Sequence, residues 1–458
     1  MSSIKLPKSI TRQHVGFIGT IGAGKTQGMM QLFENLGDAK KIIVDIKGDY
    51  ISMLQKTILF NDTQYVDDIQ GEYTSMHKKD TDLIFCPLDK RTLGWNIFND
   101  IKTYQDITNI AFSLIPESPK SSGEDDNASY FDNAARSVLE GVLITLSKRQ
   151  NPNNKMLWDT ISSSELIMQC AKTDREARQK MENHLGDKGE GNQAQGVFGT
   201  IMSHVARPLE ALSGIDGTFS FKEWTKNEDN KQSIFLVCEE SILDSMLPLY
   251  RVVIEIVASE LLSMPDDEEK ERELYFWLDE FPRLKKLRKV IDLITLARSK
   301  GGRVIYAVQT LEQLIEIYQK EGMRVILGTT NTLFVFSMTW AEELEKLFGQ
   351  QEVLEYSETR TWGPNDARDG GSNTKQKKMK FLVLASEIQR LKNLEFYLKS
   401  IEPDITKAKL QYIKREIKNP KFVPNLRVIN KVFDFNSNPN QGVMELEDEE
   451  KSFSFEGF

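Results

Sequence analysis

The stretch Gly16–Met30 reads GFIGTIGAGKTQGMM, and Gly19 to Thr26 within it satisfies G-x-x-x-x-G-K-[ST]. That spacing supports the cradling of a triphosphate. Gly22 and Gly24 let successive backbone N–H groups turn inward at the start of a helix, where aligned peptide dipoles favour anions. The candidate nucleotide-binding set is Gly19, Thr20, Ile21, Gly22, Ala23, Gly24, Lys25, Thr26 and Gln27. Lys25 is placed to reach the β- and γ-phosphates of ATP, and the Thr26 hydroxyl to bind Mg2+. An apolar run precedes the motif and a helical pattern follows it, which argues against a chance match on a glycine-rich turn.

Hydrolysis needs a further acid. The run LYFWLDEFP is an apolar strand ending in Asp279-Glu280. Asp279 would hold Mg2+ through water, and Glu280 would act as general base on the attacking water. Alone, such a pair before Pro282 reads as a strand-end turn; beside the P-loop it reads as catalytic. VIYAVQT ends in Gln309, an amide suited to sensing the γ-phosphate, or a polar strand cap. Arg298, in TLARSKGG, reads either as a finger reaching the γ-phosphate of a neighbouring subunit or as a solvated arginine favoured by a helix C-terminus. Asp45, Lys47 and Asp49 in VDIKGDY read equally as a second layer around the nucleotide and as turn caps. RLKKLRK (283–289) reads equally as a channel-facing cluster and as a solvated helix face. Trp158, Trp224, Trp277 and Trp340 fit core or interface better than base stacking.

These groups must be carried by strands. KKIIVDIKGDY, TDLIFCPLD, QSIFLVCEE, RELYFWLDEFPRL, GGRVIYAVQT and NTLFVFSM are short apolar runs alternating with amphipathic helices. The pattern predicts an α/β fold: a P-loop NTPase with a mostly parallel sheet flanked by helices. Between about Ile101 and Trp224 the periodicity turns helical. In SYFDNAARSVLEGVLITLSKR, residues Phe131, Ala135, Val138, Leu139, Val142 and Leu146 share one stripe. The expected organisation is a first part of the nucleotide-binding domain at 1–100, an inserted all-α domain at 101–224, the second part at 225–435, and an acidic, disordered tail at 436–458. TWGPNDARDGGSNTKQKKMK reads as a mobile loop. The chain carries 458 residues and a net charge of −9, with part of the acidic excess in the tail. That balance excludes a protein coating nucleic acid with its whole surface, though not a local basic channel. Three scattered cysteines and four histidines give no metal-site or disulfide spacing, which points to a reducing compartment. No apolar run reaches the roughly 20 residues of a membrane span, and no signal peptide is visible, so the chain as given reads as soluble and cytoplasmic.

The ordered series HVGFIGTIGAGKTQ, IIVDIKGDY, CPLDKRTLGWNIF, FWLDEFPRL, ARSKGGRVIYAVQT, EGMRVILGTTNTLFVFSM and FLVLASEIQRLKNLEFYLKS spans most of His14 to Ser400. It resembles the cytoplasmic part of type IV secretion coupling proteins of the TraD/TrwB kind, in the FtsK–HerA group of P-loop motors. The resemblance implies a RecA-like hexameric ring ATPase with an inserted all-α domain. It implies a protein that receives a relaxase–DNA complex, the relaxosome, at a type IV secretion channel and pumps single-stranded DNA, or protein substrates, outward. By motif position, Lys25, Thr26, Asp279, Glu280, Arg298 and Gln309 fall where nucleotide and hydrolysis contacts are expected. Coupling proteins usually carry N-terminal transmembrane helices that place them at the cytoplasmic face of the bacterial inner membrane. Only about thirteen residues precede the P-loop region here, so anchoring is an implication of the resemblance, and an isolated domain of this kind is expected to be monomeric. The tail EDEEKSFSFEGF resembles segments that dock on an accessory relaxosome protein, with Phe453, Phe455 and Phe458 as apolar anchors; a solubilising end is the alternative. Two other readings stand beside this one: a HerA- or FtsK-like DNA translocase, and a non-hydrolysing adaptor that recruits effectors.

Overall fold

The computed structural model describes residues 10, 12–54, 82–117, 126–186, 189, 191–269, 271–361, 370–401, 404–425 and 428. The acidic tail lies outside the described residues. The apolar runs become β1 (Val15–Ile18), β2 (Lys40–Asp45), β3 (Leu83–Ile84), β4 (Ile234–Val237), β5 (Leu274–Leu278), β6 (Gly302–Val308) and β7 (Thr332–Val335), which all run parallel. Every residue of these strands is buried, as a parallel sheet covered on both faces requires. Even the charged start of β2 is satisfied: Lys41 Nζ donates to the Gly37 and Ala39 carbonyls at 2.6 Å each.

β8 (Gln350–Thr361) and β9 (Gly370–Phe381) form a separate antiparallel hairpin. β10 (Glu395–Lys399) and β11 (Thr406–Lys409) complete a nine-stranded sheet of order β11-β10-β7-β1-β6-β5-β2-β4-β3, with β10 antiparallel to both neighbours. Of TWGPNDARDGGSNTKQKKMK, read as a mobile loop, residues 362–369 lie outside the described residues, whereas Thr361 and residues 370–380 belong to the hairpin. Its polar composition reflects a ribbon held by cross-strand charge rather than by a core. Lys377 pairs with Glu352 at 2.8 Å, Lys378 with Glu355 at 2.9 Å, and Lys375 sits over the Tyr356 ring.

Between β3 and β4 the chain is helical: Tyr104–Leu114, Asp126–Ser147, Asn154–Ile161, Ser164–Thr173, Arg175–Leu185, Asn192–Ser213 and Phe221–Lys226. Thr103 closes a capping box with Asp106, and Asp174 caps the helix Arg175–Leu185 through the N–H groups of Glu176 and Ala177. In Asp126–Ser147, Ala135, Val138, Leu139, Val142 and Leu146 are buried and Phe131 is half-buried. The helix Phe221–Lys226 runs across position 224. The two roots of the excursion meet at buried Asp100. Its carboxylate accepts from Trp95 Nε1 at 2.7 Å, Ser220 Oγ at 2.6 Å, Phe221 N at 3.1 Å and Lys222 N at 2.9 Å. Phe85, Trp95 and Phe221 pack edge to face around it, so the sheet and the helices share one core. Cys86, Cys170 and Cys238 are free and buried. Among the described residues no helix is long and apolar enough to cross a membrane.

Candidate nucleotide site

Four strands deliver the candidate residues to one edge of the sheet. The register sets Ile18 beside Val308, Tyr306 beside Leu278, and Leu278 beside Val44. The residues that follow these strand ends are Gly19, Gln309, Asp279 and Asp45, in the lateral order β1-β6-β5-β2. At about 4.8 Å per strand, the P-loop and Asp279 stand roughly 10 Å apart, a span that a phosphate chain and one metal ion can bridge.

The P-loop is held open by its neighbours. Thr20 donates its N–H and its hydroxyl to the Ser337 carbonyl at 2.8 and 3.1 Å, and Ala23 O accepts from Leu394 N at 2.9 Å. Gly22 has φ 77°, and a Cβ there would meet nothing within 4 Å, so its N–H side is left clear. Gly24 has φ 118°, and a Cβ there would press on Leu394. Both positions need the left-handed freedom that glycine has. Lys25 Nζ donates to the carbonyls of Gly19 at 2.5 Å and Thr20 at 2.9 Å. Burial, helped by the Lys47 charge, lowers its pKa from 10.5 to about 8, against the pull of Asp279 and Glu280. An ammonium satisfied only by carbonyls and depressed by burial is set to gain from an incoming anion. Thr26 is half-buried in the first turn of the helix Lys25–Leu36, and Ile21 at the loop tip is 82% exposed.

Asp279 sits one residue beyond β5 and is half-buried. Tyr50 donates its hydroxyl to Asp279 Oδ2 at 3.1 Å, and Glu280 N donates to Oδ1 at 3.0 Å. Burial first, and the Glu280 charge second, raise Asp279 to about 6. Tyr50 is fixed in turn by edge contacts with Trp277 and Phe33. Glu280 adopts φ 56°, a left-handed conformation that is costly for a non-glycine residue. Its carboxylate is paired with Lys47 and lies 3.6 Å from Arg283, which also reaches Glu240 at 2.6 Å.

The strand-end trio of β2 divides its labour. Asp45 is the turn cap: its two oxygens accept from Asp49 N and Ile51 N at 2.8 Å each, and burial raises it to about 7. Lys47 reaches the acidic pair, and Asp49 pairs with Lys421 at 2.5 Å. Gln309 is half-buried at the end of β6, and its side-chain amide has no hydrogen-bond partner among the described residues. Gln27 is engaged away from the loop: its Oε1 accepts from Arg415 Nη1 at 3.0 Å and Ile413 N at 3.3 Å, while Arg415 also pairs with Glu34 at 2.6 Å.

Arg298 is not brought to this edge. It is exposed, donates to Gln13 Oε1 at 3.1 Å, and precedes β6 at the opposite end of the strands. The seven residues of β6 span about 20 Å, so within one chain Arg298 does not reach the P-loop. In the segment after Glu280, Arg283, Lys286 and Lys289 pair with acids of the same chain, and Arg288 lies over Phe112. Trp224 and Trp277 are buried, Trp158 is half-buried, and Trp340 is 65% exposed. Among the described residues no cluster of His, Cys, Asp and Glu forms a metal-binding group. The hydroxyl of Thr26 and the carboxylate of Asp279 are instead a donor set of the kind that shares Mg2+ with phosphate oxygens.

A family model described as the type IV secretion-system coupling protein DNA-binding domain matches residues 1–411. The chain belongs to this family. It is 25% identical over 424 residues to the coupling protein TraD of Escherichia coli (strain K12), which covers 89% of this chain and 53% of that protein. It is 25% identical over 358 residues to protein VirD4 of Rhizobium rhizogenes, covering 69% of this chain and 50% of that protein. This coupling-protein chain thus spans about half the length of the curated relatives it matches. Its fold is that of the bacterial conjugative coupling protein TrwBdeltaN70 in complex with sulphate, with TM-score 0.71, 22% identity, and coverage of 92% of this chain and 91% of that one. The plasmid coupling protein TrwB in complex with ADP and Mg2+ superposes with TM-score 0.70 at 22% identity, covering 92% of this chain and 90% of that one. The α/β P-loop NTPase fold expected from the motifs is the fold observed.

Sequence reasoning missed Tyr50, which holds Asp279, and the Ser337 and Leu394 supports of the P-loop. Tyr50 was legible in part, since it closes the run VDIKGDY. Ser337 and Leu394 carry no local signal, because they meet the loop only through long-range strand order.

Proposed function

We propose that this chain is the motor part of a DNA-transfer coupling protein, an ATPase that moves single-stranded DNA, or protein substrates, from a relaxase–DNA complex into a type IV secretion channel. The observation that carries the reading is the convergence of Lys25, Gln309 and the Asp279-Glu280 pair on one sheet edge, with Asp279 held by Tyr50. Gly19, Thr20, Ile21, Gly22, Ala23 and Gly24 would present N–H groups to the phosphates, and Gln27 would support the loop from the Arg415 side. Lys25 exchanges its two carbonyl partners for phosphate oxygens. Thr26 and Asp279 hold Mg2+, which supplies positive charge at the β- and γ-phosphates when bound. Glu280 leaves Lys47 to accept a proton from the attacking water, and Gln309 orients that water or reads the γ-phosphate.

Arg298, exposed and remote from its own P-loop, is assigned to the neighbouring subunit's nucleotide in a homo-hexamer; a monomeric form would lack that group. Residues 1–100 and 225–435 then form the nucleotide-binding domain, 101–224 the all-α insertion, and 436–458 the tail that docks on an accessory relaxosome protein. The full-length protein is assigned to the cytoplasmic face of the bacterial inner membrane. The test is ATP hydrolysis with and without single-stranded DNA, with molecular mass followed by light scattering in the same samples. DNA-stimulated turnover with growth to a ring supports the motor; assembled rings that bind ATP and DNA yet show no turnover overturn it.

A further inference from the structure

The helix Leu243–Ser263 packs against the helix Tyr104–Leu114, and beside them lies a cavity of about 110 Å3, lined in part by Ser113, Glu117, Arg251, Glu255, Lys286 and Arg288. None of these residues belongs to the nucleotide edge. Arg251 is 3% exposed, and its Nε donates to the Ser113 carbonyl at 2.9 Å. Its two Nη atoms make no hydrogen bond or ion pair among the described residues. Burying an unpaired guanidinium is costly, and the group registers it: burial lowers Arg251 to about 10, only partly offset by Glu255 one turn along the helix.

The carboxylates at the cavity are already engaged. Glu255 accepts the Lys289 N–H at 3.0 and 3.2 Å, and Glu117 pairs with Lys286 at 2.8 Å. Asp132, further back, faces His204 at 3.5 Å. A second guanidinium, Arg288, closes the wall and a third, Arg136, stands behind it: each lies 4.4 Å from the centroid of the Phe112 ring. Arg136 is 3% exposed, and its Nη1 is buried with no hydrogen-bond partner. In the lining, Arg251, Lys286 and Arg288 therefore outnumber the two acids, Glu117 and Glu255, with Arg136 standing behind the Phe112 ring. The volume is far below the roughly 300–1,000 Å3 of pockets that take drug-sized ligands, and it suits one small oxyanion. Planar guanidinium forks match the oxygens of such a group.

We infer that this cavity binds a single phosphate group, gripped by Arg251 and Arg288 and backed by Arg136 across Phe112. Two sources share that chemistry, inorganic phosphate and the phosphodiester of a DNA strand. The lining residue Arg288 lies on the short segment that also carries Glu280 and Arg283, so an occupant would bear on the backbone that positions the acidic pair.

The test uses the full chain loaded with a non-hydrolysable ATP analogue and Mg2+, so that the γ-phosphate position of the P-loop is filled and phosphate does not enter it. Inorganic phosphate is titrated by calorimetry, and a fluorescent single-stranded oligonucleotide by anisotropy over a range of salt. Arg288→Ala removes an exposed group, and Arg251→Met replaces the buried charge with a side chain of similar length. Each is expected to weaken phosphate binding at least tenfold. Arg251→Met is also expected to melt no lower than the unaltered chain without phosphate, and to lose the rise in Tm that phosphate gives. If the occupant is a phosphodiester, Arg288→Ala also lowers the slope of log affinity against log salt by about one; an unchanged slope with lost phosphate binding assigns the site to free phosphate. Phosphate affinity and salt slope both indifferent to Arg288→Ala overturn the inference, whether or not Arg251→Met folds. The inference does not rest on the ATPase reading: failure of the ATP analogue to bind would strike that reading, while loss of phosphate binding on Arg288→Ala would still assign phosphate to this cavity.

Discussion

Replacing Glu280 by Gln keeps the shape of the side chain and removes one charge beside Asp279. Asp279 is raised to about 6, by burial first and by the Glu280 charge second, while the Tyr50 hydrogen bond and the Lys47 charge oppose the rise. Two carboxylates about 6 Å apart repel by roughly 3 kcal/mol at an effective dielectric of 20 and by under 1 kcal/mol in water. Lys47, paired with Glu280, cancels part of this, which leaves a net effect on the order of 1 kcal/mol. Mg2+ requires the ionised carboxylate, so the low-pH midpoint of Mg2+-dependent ATP affinity should fall below its starting value near 6 in Glu280→Gln. Lys47→Met removes a cation and should move the midpoint the other way, above 6; the double variant should return close to the starting value. The assay is ATP affinity with and without Mg2+ across pH, read with a fluorescent nucleotide. In the same Glu280→Gln protein kcat should drop by about 100- to 10,000-fold, the usual worth of a general base. A midpoint that rises in Glu280→Gln, or falls in Lys47→Met, would refute the electrostatic account of this pair. The linkage has a stability counterpart. A carboxyl whose folded pKa lies above its unfolded value costs no stability below about pH 4, and its full cost is present above about pH 6.

Lys25→Ala should abolish nucleotide binding; in the unaltered protein, affinity measured by calorimetry should fall as pH rises through about 8, where the depressed ammonium loses its proton. Tyr50→Phe should raise the Asp279 midpoint, lower thermal stability by about 1 kcal/mol for the lost hydrogen bond, and leave Mg2+-free nucleotide affinity unchanged. Arg298→Ala should reduce turnover only in samples that light scattering shows to be assembled; an equal loss in a strictly monomeric sample would contradict its position at the far end of β6.

The strands and the P-loop were legible because each rests on local information. β-branched runs bounded by polar turns fix a buried parallel strand, and the spacing from Gly19 to Thr26 fixes a phosphate loop whatever surrounds it. That Asp279 and Gln309 share an edge with the loop followed from their places at strand ends. The division of work among Asp45, Lys47 and Asp49 was not legible, since all three are polar residues after one strand and only the turn geometry separates a cap from a reaching side chain. Arg298 could be placed near a helix end from its neighbours, but its distance from the P-loop depends on which end of β6 it precedes. The β8–β9 hairpin was missed because its strands answer to each other's charges. A ribbon solvated on both faces lacks the apolar alternation by which strands are recognised. Gln27, read as part of the loop, is turned by Arg415 towards a segment almost four hundred residues later, a contact no local pattern foretells.

Asp100 gives the helical excursion a hinge-pin. Trp95 lies before the excursion and Ser220, Phe221 and Lys222 at its close, yet all four bond one carboxylate. A segment of more than a hundred residues therefore departs and returns at one carboxylate, and its helix Tyr104–Leu114 rests in addition on the helix Leu243–Ser263, where Arg251 donates to the Ser113 carbonyl. The excursion is in this sense sewn on twice, once at its neck by a shared carboxylate and once along its flank by a helix of the sheet's own cover.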